Sequence, residues 1–446
     1  MKIRNFFLSL LIVLLNSCAT LEIQSDYQED SPLPINPQIK ISDTAGDKKI
    51  NRGQILVTQS NNNPQIGNRF KIAILLPLSG KNKKIGQSIL NAINISLFNN
   101  DRKSKIELII FDNQSSKYKT KKAIKEIADN GIRIVIGPVF SSSVEAALKI
   151  AQENDISMIS FSNNSDLMNK KGLFLAGFSL EQELERVISY MINNNRNNFS
   201  IIAPNNRYGV RMAKILRKIT TAKDANFISS QFYLKNKKDF SKVTKTILNS
   251  YIAPVNMEDF QEELNLIEDE EERKLRELEI IAEHKIYTDT ILIADNLTKS
   301  SQIVESLQNA NIEGRNLQII GTNHWNSNKA FLYPGLYGSV FSAPDNKYYN
   351  LFKEKYLNTY KEEPIRISSI GYDIAAFVID LSYKIKKYNN INQQIVNYNK
   401  KRGFKGIDGA FRFLPNGLIQ RNLAILEIVD REIITIDKSS GRFIKY

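Results

Sequence analysis

From residue 70 onward, short apolar runs alternate with longer amphipathic stretches, the rhythm of a parallel sheet covered by helices on both faces. Apolar runs at 71–76, 106–111, 132–136 and 157–161 predict four strands, with helices over 86–98, 119–129 and 142–153 between them. A second series of the same kind follows, with strands at 200–203, 227–232, 290–294 and 317–320 and helices over 207–218, 240–250 and 300–309. Two such series in 446 residues exceed what one core usually serves. The expected class is α/β, with two doubly wound Rossmann-like lobes whose cleft faces the strand C-termini.

One stretch breaks the alternation. Residues 257–285 carry a run of acids, then mixed charge, with Phe260, Leu264, Ile267, Leu275, Leu278 and Ala282 at three- and four-residue steps. This spacing predicts one long surface helix with a single apolar stripe. The acidic block 268–272 then reads as a solvated helix face, with a partner-docking helix as the alternative.

The first eighteen residues are written for export. Lys2 and Arg4 form a basic start, residues 6–15 are apolar but too short to span a bilayer, and small residues follow. Leu15-Asn16-Ser17-Cys18 resembles the bacterial lipobox, in which the cysteine is acylated and becomes the mature N-terminus; Asn16 departs from the pattern. Cys18 is the sole cysteine, so no disulfide competes for it. The resemblance implies a signal peptide over 1–17 and a membrane anchor through lipid on Cys18. Ala19 stands where inner-membrane retention typically places Asp, which directs the expectation to the outer membrane, facing the periplasm. Residues 18–69 are polar, include Pro32, Pro34, Pro37 and Pro64, and read as a flexible tether with a reach of roughly 40 Å. The net charge of +14 is spread over the whole chain, so no nucleic-acid partner is expected.

Residues 70–446 carry motifs specific enough for a family. Ile74-Leu75-Leu76-Pro77-Leu78-Ser79-Gly80 ends the first strand and Gly86 opens the next helix; Ile136-Gly137-Pro138-Val139-Phe140-Ser141-Ser142-Ser143, Ser157-Met158-Ile159-Ser160-Phe161-Ser162-Asn163-Asn164 and Arg207-Tyr208-Gly209 follow in order. Ile370-Gly371-Tyr372-Asp373 and Gly406-Ile407-Asp408-Gly409-Ala410-Phe411-Arg412-Phe413 complete the set. The sequence resembles the type I periplasmic binding proteins, and within them the LpoA-type penicillin-binding protein activators related to leucine-binding proteins. The longer members of that group carry an N-terminal helical-repeat domain for which residues 20–69 are too short. The resemblance implies three hinge crossovers near 172–179, 340–344 and 401–406. Lobe one then comprises about 70–178 and 343–402, and lobe two about 179–342 and 403–446.

Candidate ligand positions are Ser79, Ser141, Ser142, Asn163, Asn164, Tyr208, Asp295 and Trp325. Serines at a strand-to-helix junction offer hydroxyls and amides to a carboxylate; equally, Ser142 fits a plain helix cap and the asparagines fit turns. Tyr208 suits stacking over a ligand or covering the hinge, and Asp295 suits pairing with an amine or capping a helix. Phe140 and Phe161 beside these turns raise a further reading, a cleft filled by its own side chains. Catalysis finds little support: neither His284 nor His324 has metal-ligand or triad spacing, and no Gly-x-Ser-x-Gly, P-loop or Cys-x-x-Cys occurs. The expectation is a lipoprotein without metal, cofactor or enzymatic activity that activates a penicillin-binding protein in peptidoglycan synthesis. The alternative is a solute-binding lipoprotein for amino-acid uptake, of the branched-chain type.

Overall fold

The computed structural model describes residues 54–57, 69–101, 105–234, 236–310, 315–327, 329–385, 390–439 and 443. The signal segment 1–17, Cys18 and most of the 18–69 tether lie outside them. Within the tether span, however, the Ile-Leu-Val run at 55–57 belongs to a strand, β1 (Gln54–Val57), rather than to coil.

The first lobe continues through β2 (Phe70–Leu76), α1 (Lys83–Asn100), β3 (Ile106–Asp112), α2 (Lys117–Asp129), β4 (Ile134–Ile136), α3 (Ser141–Glu153), β5 (Ser157–Ser160) and β6 (Leu173–Leu175). Its sheet runs β1-β3-β2-β4-β5-β6, parallel except for the edge pair β1 and β3. Ile72 to Leu76 are wholly buried, as a central parallel strand covered on both faces requires.

The second lobe follows with α4 (Leu180–Asn193), β7 (Asn198–Pro204), α5 (Arg207–Ala222), β8 (Asn226–Tyr233), α6 (Ser241–Asn249) and β9 (Tyr251–Ile252). Then come α7 (Gln261–Asn265), α8 (Glu270–Glu283), β10 (Ile286–Tyr287), β11 (Thr290–Ile293), α9 (Leu297–Asn309), β12 (Gln318–Ile320) and β13 (Val340–Ala343). Five strands in the order β8-β7-β11-β12-β13 are parallel and repeat the topology of the first lobe. The single long helix expected over 257–285 is broken: Asp269 accepts from the amides of Glu271 and Glu272 at 2.9 and 2.8 Å and starts a new helix. His284 does stand at the end of α8, its Nδ1 2.7 Å from the Ile280 carbonyl.

After β13 the chain returns to the first lobe as α10 (Asn346–Tyr360), α11 (Ser368–Lys384), α12 (Ile391–Asn397) and a small antiparallel sheet of β14 (Phe404–Gly406), β15 (Gly409–Phe413) and β16 (Ile419–Arg421). It ends in the second sheet with β17 (Ala424–Val429) and β18 (Glu432–Asp437), antiparallel beside β13. The third crossover expected at 401–406 is therefore displaced to Asn422 and Leu423, and residues 404–421 belong with lobe one. The cause is the period-2 apolar face of the small sheet: Phe411, Phe413 and Ile419 are buried in the first core, with Phe413 5.3 Å from Phe174 and 5.7 Å from Phe377.

Two ion pairs join these crossing segments, one buried on both sides and one with a part-exposed arginine. Arg421 donates to Asp373 at 3.1 Å, and Arg366 lies 2.8 Å from Asp408. Asp373 also accepts from the amides of Ile407 and Asp408 at 2.7 and 3.2 Å, and Asp408 accepts from Ser369 at 2.6 Å. Phe178, on the first crossover, has the guanidinium groups of Arg366 and Arg421 each 5.4 Å from its ring. Gly406 must be glycine here, because a Cβ would meet the Asp373 carboxylate at 2.4 Å.

Candidate functional site at the strand ends

Each lobe has its topological switch point beside its first strand, between β2 and β4 in lobe one and between β7 and β11 in lobe two. In sheets of this kind the loops leaving those strands form the ligand crevice. Ser79, Ser141, Tyr208 and Asp295 all lie on those loops or the helix starts that follow them, as the sequence pattern anticipated.

On lobe one these groups are engaged internally. Ser79 donates its hydroxyl to Asp112 at 2.5 Å, and the amides of Leu78 and Ser79 reach the same carboxylate at 2.8 and 3.3 Å. Burial alone would raise Asp112, but these bonds and the Gln114 amide outweigh it and hold the carboxyl below its ordinary value. Ser141 pairs with Ser162 at 2.9 Å, the Ser160 hydroxyl accepts from the Ser162 amide at 3.0 Å, and Ser160 donates to the Pro138 carbonyl at 2.7 Å. This chain of hydroxyls ties the two turns together. Ser142 is exposed and is not a cap: Phe140 occupies the N-cap of α3 with no side-chain hydrogen bond. Asn164 serves a turn, accepting from the Asp166 amide at 3.3 Å, and Asn163 is exposed. Phe161 is buried in the first core and Phe140 packs against it, so neither fills the cleft.

Lobe two gathers a more deeply buried polar group. Tyr208, in the first turn of α5, packs against His324 with ring centroids 5.7 Å apart. Burial pushes the pKa of its hydroxyl up to about 12, and a hydrogen bond with Thr322 only partly offsets the rise. The Asn323 side-chain carbonyl is buried without a partner. Burial pulls His324 below its usual value, opposed by the charge of Asp295. Asp295 accepts from the Tyr233 hydroxyl and from the Asn296 amide at 2.6 Å. The cap of α9 is Asn296, not Asp295.

Trp325 is corrected from a ligand position to a core residue. It is fully buried, donates from Nε1 to the Asp295 carbonyl at 2.9 Å, and meets Phe341 edge-on at 6.4 Å. Gly321 makes room for it, since a Cβ there would come within 2.2 Å of the indole.

Sequence reasoning missed two residues that shape this region. Glu183 in α4 is buried, accepts a hydrogen bond from the Asn323 amide at 3.4 Å, and has its pKa raised to about 8 by burial, reinforced by the nearby charge of Glu181. An acid in the first turn of a helix reads from sequence as a complement to the helix dipole, which hides its burial. Arg211, one turn beyond Tyr208, reaches across to lobe one, donating to Ser165 at 2.6 Å, and also donates to Glu181 of its own lobe at 3.0 Å. Arg207 adds a looser contact to Asp166 at 3.6 Å. Only the tertiary arrangement brings α5 beside the turn after β5.

Two α/β lobes joined by three crossovers, with polar side chains gathered at the strand ends, define a periplasmic-binding-protein architecture of type I. The periplasmic binding protein family matches residues 69–432, and the chain belongs to that family. Among individual proteins, it is 25% identical over 264 residues to an uncharacterised protein of Rickettsia prowazekii, covering 57% of this chain and 70% of that one. A Rhodospirillum rubrum structure provisionally assigned to a branched-chain amino acid ABC transporter superposes with TM-score 0.65 at 14% identity, over 82% of this chain and all of that one. The C-domain of LpoA from Haemophilus influenzae, a regulator of PBP1A, superposes with TM-score 0.56 at 17% identity, over 82% of this chain and 99% of that one. Against full-length LpoA the TM-score is 0.59 at 18% identity, with 83% of this chain covered but 59% of LpoA. At these identities the likenesses describe the fold, which both kinds of protein share.

Proposed function

We propose that this chain works by recognition through its surface, as a lipoprotein facing the periplasm that binds and activates a penicillin-binding protein and so regulates peptidoglycan synthesis. The observation that carries this reading is the engagement of the cleft with itself. Arg211 bridges the lobes, and the hydroxyls of Ser79 and Ser141 are already hydrogen-bonded within lobe one. A solute entering there would have to displace these bonds. The regulatory role of the similarly folded LpoA supports the same direction.

The rival reading, a solute-binding lipoprotein for amino-acid uptake, is favoured by one observation: the buried, unpartnered side-chain carbonyl of Asn323 beside the buried hydroxyls of Tyr208 and Thr322. A thermal-shift series with amino acids and peptidoglycan fragments, run beside binding measurements with purified bifunctional penicillin-binding proteins, separates the two. A ligand present at one hundred times its Kd adds about 2.7 kcal/mol to stability, an easily measured shift. The expected result is retention of a synthase and no small-molecule shift. An amino acid that raises the melting temperature, with no synthase retained, transfers the function to uptake.

The anchor belongs to the same proposal. Lipid on Cys18 would hold the protein at the outer membrane, each buried CH₂ contributing about 0.8 kcal/mol. Cys18→Ser is expected to move the protein from the membrane fraction to the soluble periplasm and to abolish globomycin-sensitive processing. Unchanged partitioning and processing would dismiss the anchor.

A further inference from the structure

Between α6 and β11 the chain leaves the second lobe and returns through a short antiparallel ribbon, β9 against β10. The segment carried on that stem is acidic in a basic protein. Between Met257 and His284 there are twelve Asp and Glu residues against three Lys and Arg, whereas the whole chain carries +14.

The segment is organised from within. Arg276 meets Glu263, Glu279 and Glu283 at 2.6, 3.1 and 3.2 Å. Arg273 donates to the Ile267 carbonyl at 2.6 Å, and Phe260 packs edge-on against His284. Leu264 and Ile280 are buried and fasten the pair of helices.

With one face of α8 packed through Ile280 and Arg276, a period of about 3.6 residues puts Leu275, Leu278 and Ala282 together on the opposite face. Leu275 is 59% exposed and Leu278 63% exposed. Leu266, just ahead of the helix, is 84% exposed. Single exposed leucines are ordinary on protein surfaces. A stripe at helical spacing on the outer face of a preformed projection has the character of an interface. Glu270, Glu271 and Glu272 surround the start of that stripe, so a partner that covers it meets concentrated negative charge. Two copies paired symmetrically through parallel α8 helices would set these acidic turns against each other, which disfavours that pairing of a second copy.

We propose that α8 is a docking helix, and that its leucine stripe seats in an apolar groove rimmed by Lys or Arg on another protein. This rests on the reading that the body acts by binding a protein partner, and it names the surface that does so.

The test uses the full chain. A photo-crosslinking amino acid replaces Leu278 in cells, with Tyr118 as an exposed control site, and each adduct is identified by mass. The identified protein is then purified and titrated against wild type, Leu275→Asp/Leu278→Asp and Glu270→Gln/Glu271→Gln/Glu272→Gln. The expected result is an adduct specific to position 278, at least tenfold weaker binding for the leucine variant with an unchanged melting temperature, and a several-fold loss for the glutamine variant and at raised salt. If a synthase binds wild type and both variants equally, the docking helix is wrong while the regulatory reading stands. If position 278 gives an adduct with a different protein that meets these criteria, the helix stands and the synthase reading fails. No adduct at 278, or one with a second copy of this chain, overturns the proposal.

Discussion

Asp373→Ala is expected to destabilise the folded body by about 3–5 kcal/mol, the usual consequence of leaving one partner of a buried ion pair alone. Arg421 would remain inside, its side chain 2% exposed, without the carboxylate that it meets at 3.1 Å. The amides of Ile407 and Asp408 would lose their acceptor as well. Because these groups lie where α11, the β14–β15 turn and the end of β16 meet, the loss falls on the return of the chain through the hinge. Urea unfolding of wild type, Asp373→Ala and Asp373→Asn measures it. Asparagine keeps an acceptor for the amides, so its smaller expected loss separates the charge from the hydrogen bonds. A change below about 1 kcal/mol in the alanine variant, the range of ordinary exposed ion pairs, would show that Arg421 finds another partner or water.

Glu183→Gln is expected to flatten the dependence of stability on alkaline pH. The Glu183 carboxyl titrates at about 8 when folded because burial disfavours its charge, against an ordinary value of 4.5. Between those values the unfolded chain releases a proton that the folded chain keeps. Stability is therefore fully present below about pH 4.5 and falls as pH rises toward 8, by up to about 1.4 kcal/mol for each pH unit. His324 contributes the opposite slope below about pH 6.5, since burial favours its neutral form. The difference between wild type and Glu183→Gln isolates the carboxyl, and denaturation midpoints from pH 5 to 8.5 measure it. Parallel curves for the two proteins would mean that Glu183 ionises in place, reached by water.

The alternation of buried strands and amphipathic helices was legible because each is a local pattern. Predicted strands such as 71–76 and 290–294 lie within a residue of β2 and β11. So were the loops at which Ser79, Ser141, Tyr208 and Asp295 stand, because a strand end followed by a helix start is itself a sequence pattern. What those side chains do there was not legible. Ser142 looked like a cap and is exposed, Trp325 looked like a ligand platform and is core, and the helix expected over 257–285 is interrupted by an Asp269 cap. In each case the deciding partner is distant along the chain or the competing local bond is stronger than the periodicity suggests. The small sheet 404–421 makes the same point at the scale of a lobe: its alternating aromatics show that one face is buried, but not against which core. The sequence by itself determined the α/β class and the doubling into two lobes, since these rest on composition and short-range periodicity. The burial of Glu183, the Arg211 bridge, the paired charges at Asp373 and Arg421 and the outward leucines of α8 were decided only by tertiary structure. Burial and ion pairing depend on which segments meet in space.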